Sequence, residues 1–349
     1  MIGRPMRCGR PGPAMVLLVV AVLVGSCAKP DTPPPVTAGV ATLAGTAGSS
    51  GATDGTGAAA RFEAPLGVAV DGSGNVYVAD SNNYLIRKIT SAGAVTTLAG
   101  TAGLSGSTDA TGPSASFGLP DGIAVDGSGN VYVADTSGAA IRKVTPAGAV
   151  TTVAAGLDHP GGLAVDGSGN LYVGNLGDST IRKVTSGGSV SILAGTAGVE
   201  GSADGTGAAA SFGVPAGVAV DGSGNVFVAD QLSHTIRKIT AAGVVTTIAG
   251  TAGVSGAADG AGTAASFNAP AGVAVDGSGN VFVADAHNHT IRRITPAGVV
   301  TTVAGTAGVS GSTDGSSPTS FDNPSGIAVD GSGKLYVADS ANNTIRTIT

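Results

Sequence analysis

The segment Asp-Gly-Ser-Gly occurs six times in this 349-residue chain, beginning at Asp71, Asp126, Asp166, Asp221, Asp276 and Asp330. Its successive spacings are 55, 40, 55, 55 and 54 residues. Repetition at such a period calls for one supersecondary unit per repeat, each burying its apolar faces against its neighbours. Every unit reads, with small variations, Pro-x-Gly-Val-Ala-Val-Asp-Gly-Ser-Gly-Asn-Val-Tyr-Val-Ala-Asp, then six residues to an arginine, then a turn and Val-Thr-Thr-Val-Ala-Gly. The pattern predicts four short strands, in the first unit at about 67–70, 75–79, 85–90 and 94–99, joined by Asp-Gly and Ala-Gly turn signals. Apolar and β-branched residues stand on both sides of most strands, so both sheet faces are expected to be buried. Four-stranded units at a basic period near 40 residues predict an all-β, six-bladed β-propeller with antiparallel blades around a channel.

The count of strands predicts how the ring closes. The sixth unit has three strands, ending with Thr344-Ile345-Arg346-Thr347-Ile348. The missing fourth strand has its match in Ala38-Gly39-Val40-Ala41-Thr42-Leu43-Ala44-Gly45. That segment is expected to complete the last blade, which would otherwise present an unpaired edge. The propeller is assigned to residues 38–349.

The run Gly-Val-Ala-Val-Asp-x-x-Gly-Asn-Val-Tyr-Val-Ala-Asp, followed by Ile-Arg-Lys-Ile, resembles the NHL-repeat family of six-bladed propellers. It recurs with few changes in all six units; an inserted Gly-rich loop lengthens five of the connections. The resemblance implies a binding or scaffold module that presents its loops to a protein, glycan or other partner.

The first residues read as an address. Arg4, Arg7 and Arg10 precede an apolar run from Ala14 to Val24, and Val24-Gly25-Ser26-Cys27 follows, as in a secretory signal. The run is too short for a permanent membrane-spanning helix. Its end resembles the bacterial lipobox, with cleavage before Cys27 and lipidation of that residue. Residues 1–26 are therefore expected to be a lipoprotein signal and 27–37, with Pro30, Pro33, Pro34 and Pro35, an extended tether. Ala28 follows Cys27 where an inner-membrane retention aspartate would stand, which favours an outer-membrane or surface destination. Of the two cysteines, Cys8 leaves with the signal, so disulfides and cysteine chemistry drop out. Removal of three arginines leaves 14 bases against 23 acids, a surface unsuited to neutralising nucleic-acid phosphates. The expected mature protein is a monomer touching the membrane only through its lipid.

Repetition also sorts the side chains. Eleven of the twelve aromatics recur at two equivalent positions, one in each second strand and one in each long loop; Tyr84 is the exception. They are expected to pack the core and anchor the loops. An aspartate precedes an arginine by seven positions in five units: Asp80 and Arg87, Asp135 and Arg142, Asp230 and Arg237, Asp285 and Arg292, Asp339 and Arg346. These pairs are expected to form buried bridges at the blade corners. The third unit has Asn175 with Arg182 instead.

Chemistry is thinly provided. The innermost strands are small and apolar, and the position before their glycine is Leu66, Asp121, Gly161, Ala216, Ala271 and Ser325. One acid in six does not hold a catalytic divalent ion. No catalytic residue, resident metal or cofactor is assigned, and a channel-site metal-dependent hydrolase or lyase of the lactonase kind is the alternative reading. The loop aspartates Asp54, Asp109, Asp204, Asp259 and Asp314 leave calcium as a minor alternative. Variable residues Tyr84, His234 and His289 fall on the long-loop face, where binding usually resides on a rigid scaffold. The 40-residue spacing marks a missing loop between the second and third blades, and Asp121, Asp158, His159 and Asp178 are expected around the resulting notch. Three acids and a histidine there would receive a cationic group or a metal ion.

Overall fold

The computed structural model describes residues 38–349. The signal (1–26), Cys27 and the tether (27–37) lie outside the described residues. Six antiparallel sheets of four or five strands surround a channel. In blade 1 the strands run outward from the channel as Pro65–Val70, Val76–Asp80, Leu85–Ile89 and Ala94–Ala99. The second strand of every blade is buried along its whole length, because adjacent blades cover both of its faces. The core accordingly consists of six wedges between blades; one packs Tyr77, Ala79 and Ile86 of blade 1 against Ile123, Val131 and Val133 of blade 2.

Blade 6 closes as the strand count requires. Val40–Ala44 pairs antiparallel with Thr344–Ile348, Val40 lying opposite Ile348. Gly39 and Thr349 exchange two backbone hydrogen bonds of 3.1 Å. The chain's first described strand thus supplies the rim of its last blade.

The channel wall explains the glycine of each Pro-x-Gly. A Cβ on Gly67 would lie 2.2 Å from the Asp121 carbonyl oxygen of the next blade. Gly122, Gly162, Gly217, Gly272 and Gly326 face the next blade's carbonyl at 2.1–2.3 Å in the same way. The innermost strands therefore approach one another around the whole ring as closely as backbones without side chains allow.

One architectural difference from the expected four-stranded blades concerns the long connections. They are not open loops. Gly55–Thr56, Gly205–Thr206 and Gly260–Ala261 add short fifth strands to the rims of blades 1, 4 and 5. Each long connection leaves the rim of one blade, touches the rim of the next and returns across its top to the channel. We call these connections straps.

Candidate functional site

The straps are held by a repeated ionic joint. In blade 1 the guanidinium of Arg87 donates to Asp80 Oδ2 and to Asp54 Oδ1, both at 2.7 Å. It also donates to the carbonyls of Arg61 and Thr53 and lies 5.1 Å from the centre of the buried Phe62 ring. Asp80 is fully buried; Asp54 is half exposed and accepts in addition from the backbone and hydroxyl of Thr97. The same joint forms at Arg142 with Asp135 and Asp109, and at Arg237 with Asp230 and Asp204. Arg292 with Asp285 and Asp259, and Arg346 with Asp339 and Asp314, complete the set. Burial pushes the carboxyls of Asp80 and Asp339 up to about 6, against the lowering pull of their hydrogen bonds and arginines. Sequence reasoning found the inner aspartate of each joint and missed the outer one, which stands 33 residues from its arginine in blade 1.

Blade 3 departs from the pattern because no strap crosses it. Leu157 of the short link is buried in the core wedge between blades 2 and 3. Asn175 replaces the inner aspartate and its side-chain carbonyl accepts from Asp158 N–H at 3.0 Å. Arg182 turns to Asp178 and Thr180 instead. Against the raising effect of burial, hydrogen bonds from Thr180 and Arg182 help to hold the Asp178 carboxyl below its ordinary value. Without a strap the rim is bare: Val190 is 39% exposed where the equivalent Val95 is 2% exposed.

The notch residues do not converge. Asp158 and His159 are exposed and meet each other, His159 Nδ1 lying 2.7 Å from Asp158 Oδ1. Asp178 is engaged by Arg182, and Asp121 lines the channel. The side chains proposed for the variable loops are also partly occupied. His234 Nδ1 accepts from Ala269 N–H at 3.0 Å, and His289 Nδ1 from Asn323 N–H at 3.1 Å. Asn343 does the same for Ala64 N–H across the closing joint at 2.9 Å. These residues, with Tyr84, adopt the left-handed backbone conformation at the end of the second-to-third-strand connection. At His234, His289 and Asn343 the side chain ties one blade's corner to the next blade.

The strap tips are the most exposed apolar part of this face. Each strap begins with Thr-Ala-Gly and a fourth residue whose N–H donates back to the threonine carbonyl, as in Val254 to Thr251 at 3.0 Å. That fourth residue is Ser49, Leu104, Val199, Val254 or Val309. The four aliphatic tips are 49–55% exposed, and Leu232 beside them is 57% exposed.

Inside the ring of tips the channel opens as a funnel of about 230 Å³. Leu66, Leu176, Ala216, Ala271 and Ala286 supply most of its apolar wall, with Gln231, Asn323 and Ser325 as polar neighbours. Asp121 is the sole charged side chain lining it among the described residues. Burial alone pushes its carboxyl up to about 6. Among the described residues no group of three or more His, Cys, Asp or Glu side chains is placed to hold a metal ion.

Comparison with known proteins agrees with this architecture. The NHL repeat family matches residues 267–294 and 321–348, and the SMP-30/Gluconolactonase/LRE-like region family matches residues 66–156. Human NHL repeat-containing protein 2 is 32% identical over 313 residues, covering 85% of this chain and 40% of that protein. The chain thus spans less than half the length of that relative. A Bacteroides thetaiotaomicron structure of unknown function superposes with a TM-score of 0.73 at 24% identity, covering 89% of this chain and 76% of the other. An auxiliary nutrient binding protein of the same organism superposes with a TM-score of 0.69 at 17% identity over the same shares. At such identities the likeness to solved structures is one of fold. The chain carries NHL repeats in its fifth and sixth blades, and its six repeated units together build a six-bladed β-propeller.

Proposed function

We propose that this protein is an exported, lipid-anchored binding module of the cell envelope, and that its strap face takes a protein or glycan partner. The observation that carries this reading is the ring of aliphatic strap tips. Leu104, Val199, Val254 and Val309 stand at one equivalent position and are about half exposed. The first strap makes the same turn with Ser49, so an aliphatic side chain is not required to form it. A half-exposed aliphatic side chain repeated at one position where serine also serves supports an interaction surface on this face. The similarity in fold to a nutrient binding protein supports a binding role. The lipobox-like Val24-Gly25-Ser26-Cys27 supports the anchor. The test replaces all four tips by serine and compares crosslinking pull-downs from the native envelope. Loss of the partner at an unchanged melting temperature supports the reading, and full retention refutes it.

A second reading, a channel-site metal-dependent hydrolase or lyase, draws on the family match across residues 66–156. The funnel offers a metal one carboxylate, whereas divalent ions take several oxygen ligands. Metal analysis followed by a panel of lactones and esters decides between the two.

A further inference from the structure

Asp121 is not needed to build the ring. The five equivalent positions hold Leu66, Gly161, Ala216, Ala271 and Ser325, and each of those blades closes with the same glycine contact. A carboxylate there is a departure that folding does not demand. Its surroundings offer nothing to neutralise it: Leu66 belongs to the preceding blade, and Gly161 and Leu176 belong to the following one. Among the described residues the Asp121 side chain accepts no hydrogen bond, and no other titratable side chain lines the funnel. A partly buried charge without a partner is costly, and a cation that supplies one recovers that cost on binding.

We propose that the funnel is a binding site for a small aliphatic ammonium ion, with Asp121 as the anion that receives its charged end and Leu66, Leu176 and the funnel alanines packing its hydrocarbon body. The volume of about 230 Å³ lies just below that of pockets for drug-sized ligands, which selects a short-chain amine. A single carboxylate suits one ammonium group, and Gln231 and Ser325 line the same funnel as polar neighbours. A single carboxylate falls well short of the roughly six to eight oxygen ligands that calcium takes. The inference rests on the strap face being the binding face, since the funnel opens there.

The test is calorimetric titration of the folded protein with n-butylammonium, with n-butanol and calcium as controls. Saturable one-to-one binding is expected at about pH 8, weakened about tenfold or more by Asp121→Asn. Binding is expected to fade below about pH 6, where the Asp121 carboxyl takes up its proton. The carboxyl carbon resonance of Asp121 gives a second readout, because bound cation lowers the midpoint of its titration. Absence of saturable binding, equal binding by Asp121→Asn, or equal affinity for n-butanol would overturn the proposal, as would calcium binding that depends on Asp121. If the amine fails to bind while the strap-tip variant still loses its partner, the funnel site alone falls. If the tips prove irrelevant and the amine binds, the wider reading of the face falls instead.

Discussion

Removing Asp80 tests the ionic joint that holds each strap. In the folded protein its carboxylate accepts from Arg87, from Glu63 N–H and from Asn83 Nδ2 at 2.7, 2.8 and 2.9 Å. Asp80→Ala removes all three acceptor contacts in a fully buried place and leaves Arg87 leaning on half-exposed Asp54 and two carbonyls. Breaking one side of a buried ion pair costs about 3–5 kcal/mol. In a domain of this size that is about 5–10 °C of melting temperature. Asp54→Ala leaves the inner carboxylate in place and removes a partner already screened by water, so it costs about 1 kcal/mol. Asp80→Asn falls between them, because an amide still accepts from Glu63 N–H, as Asn175 accepts from Asp158 N–H in blade 3. Differential scanning calorimetry of the three variants checks the order. A shift under about 1 °C for Asp80→Ala, or a larger loss for Asp54→Ala, would refute the argument.

Deleting residues 38–45 uncovers the edge of Thr344–Ile348, and light scattering is expected to show aggregation or a much lower melting point; a monodisperse deletion variant of unchanged stability contradicts the closure. Gly217→Ala places a Cβ 2.3 Å from the Ala271 carbonyl oxygen and is expected to cost about 3 kcal/mol, while Gly222→Ala, with open space around it, leaves stability nearly unchanged. Equal denaturation midpoints for those two variants would refute the tight ring. Asp121 titrates near 6 in the folded state and near 3.8 otherwise, so the wild-type protein loses stability as pH rises between those values. Asp121→Asn is therefore expected to be more stable by about 1–2 kcal/mol at neutral pH, after allowance for the funnel's solvent, and to lose that advantage below about pH 4. Urea midpoints across pH measure it; an advantage that persists in acid points to some other cause.

The strands were readable because the six near-copies repeat alternating apolar and turn residues, and four observed strands of blade 1 begin within two residues of their expected starts. The inner ion pairs were readable because seven residues span one hairpin. The outer partner Asp54 was not, since only the folded path of the strap brings it to Arg87. The role of the channel glycines was equally hidden, because it depends on a carbonyl belonging to the next blade. The notch went astray for a definite reason. Charges counted as free by their position were already engaged: Asp178 compensates Arg182 in the blade that lacks a strap aspartate. His234 and His289 likewise hold backbone N–H groups of the following blade. The strap tips carried a signal that could have been found, an aliphatic residue after four of the five Thr-Ala-Gly turns.

Site-specific photocrosslinking in the native cell tests most directly whether the strap face binds the partner. A crosslinking residue at Val254 samples the strap face, and one at exposed Ser223 samples the turn face of the same blade. The account predicts a discrete adduct from Val254 that is absent from Ser223. An adduct from Ser223 alone, or equal adducts from both positions, would contradict it.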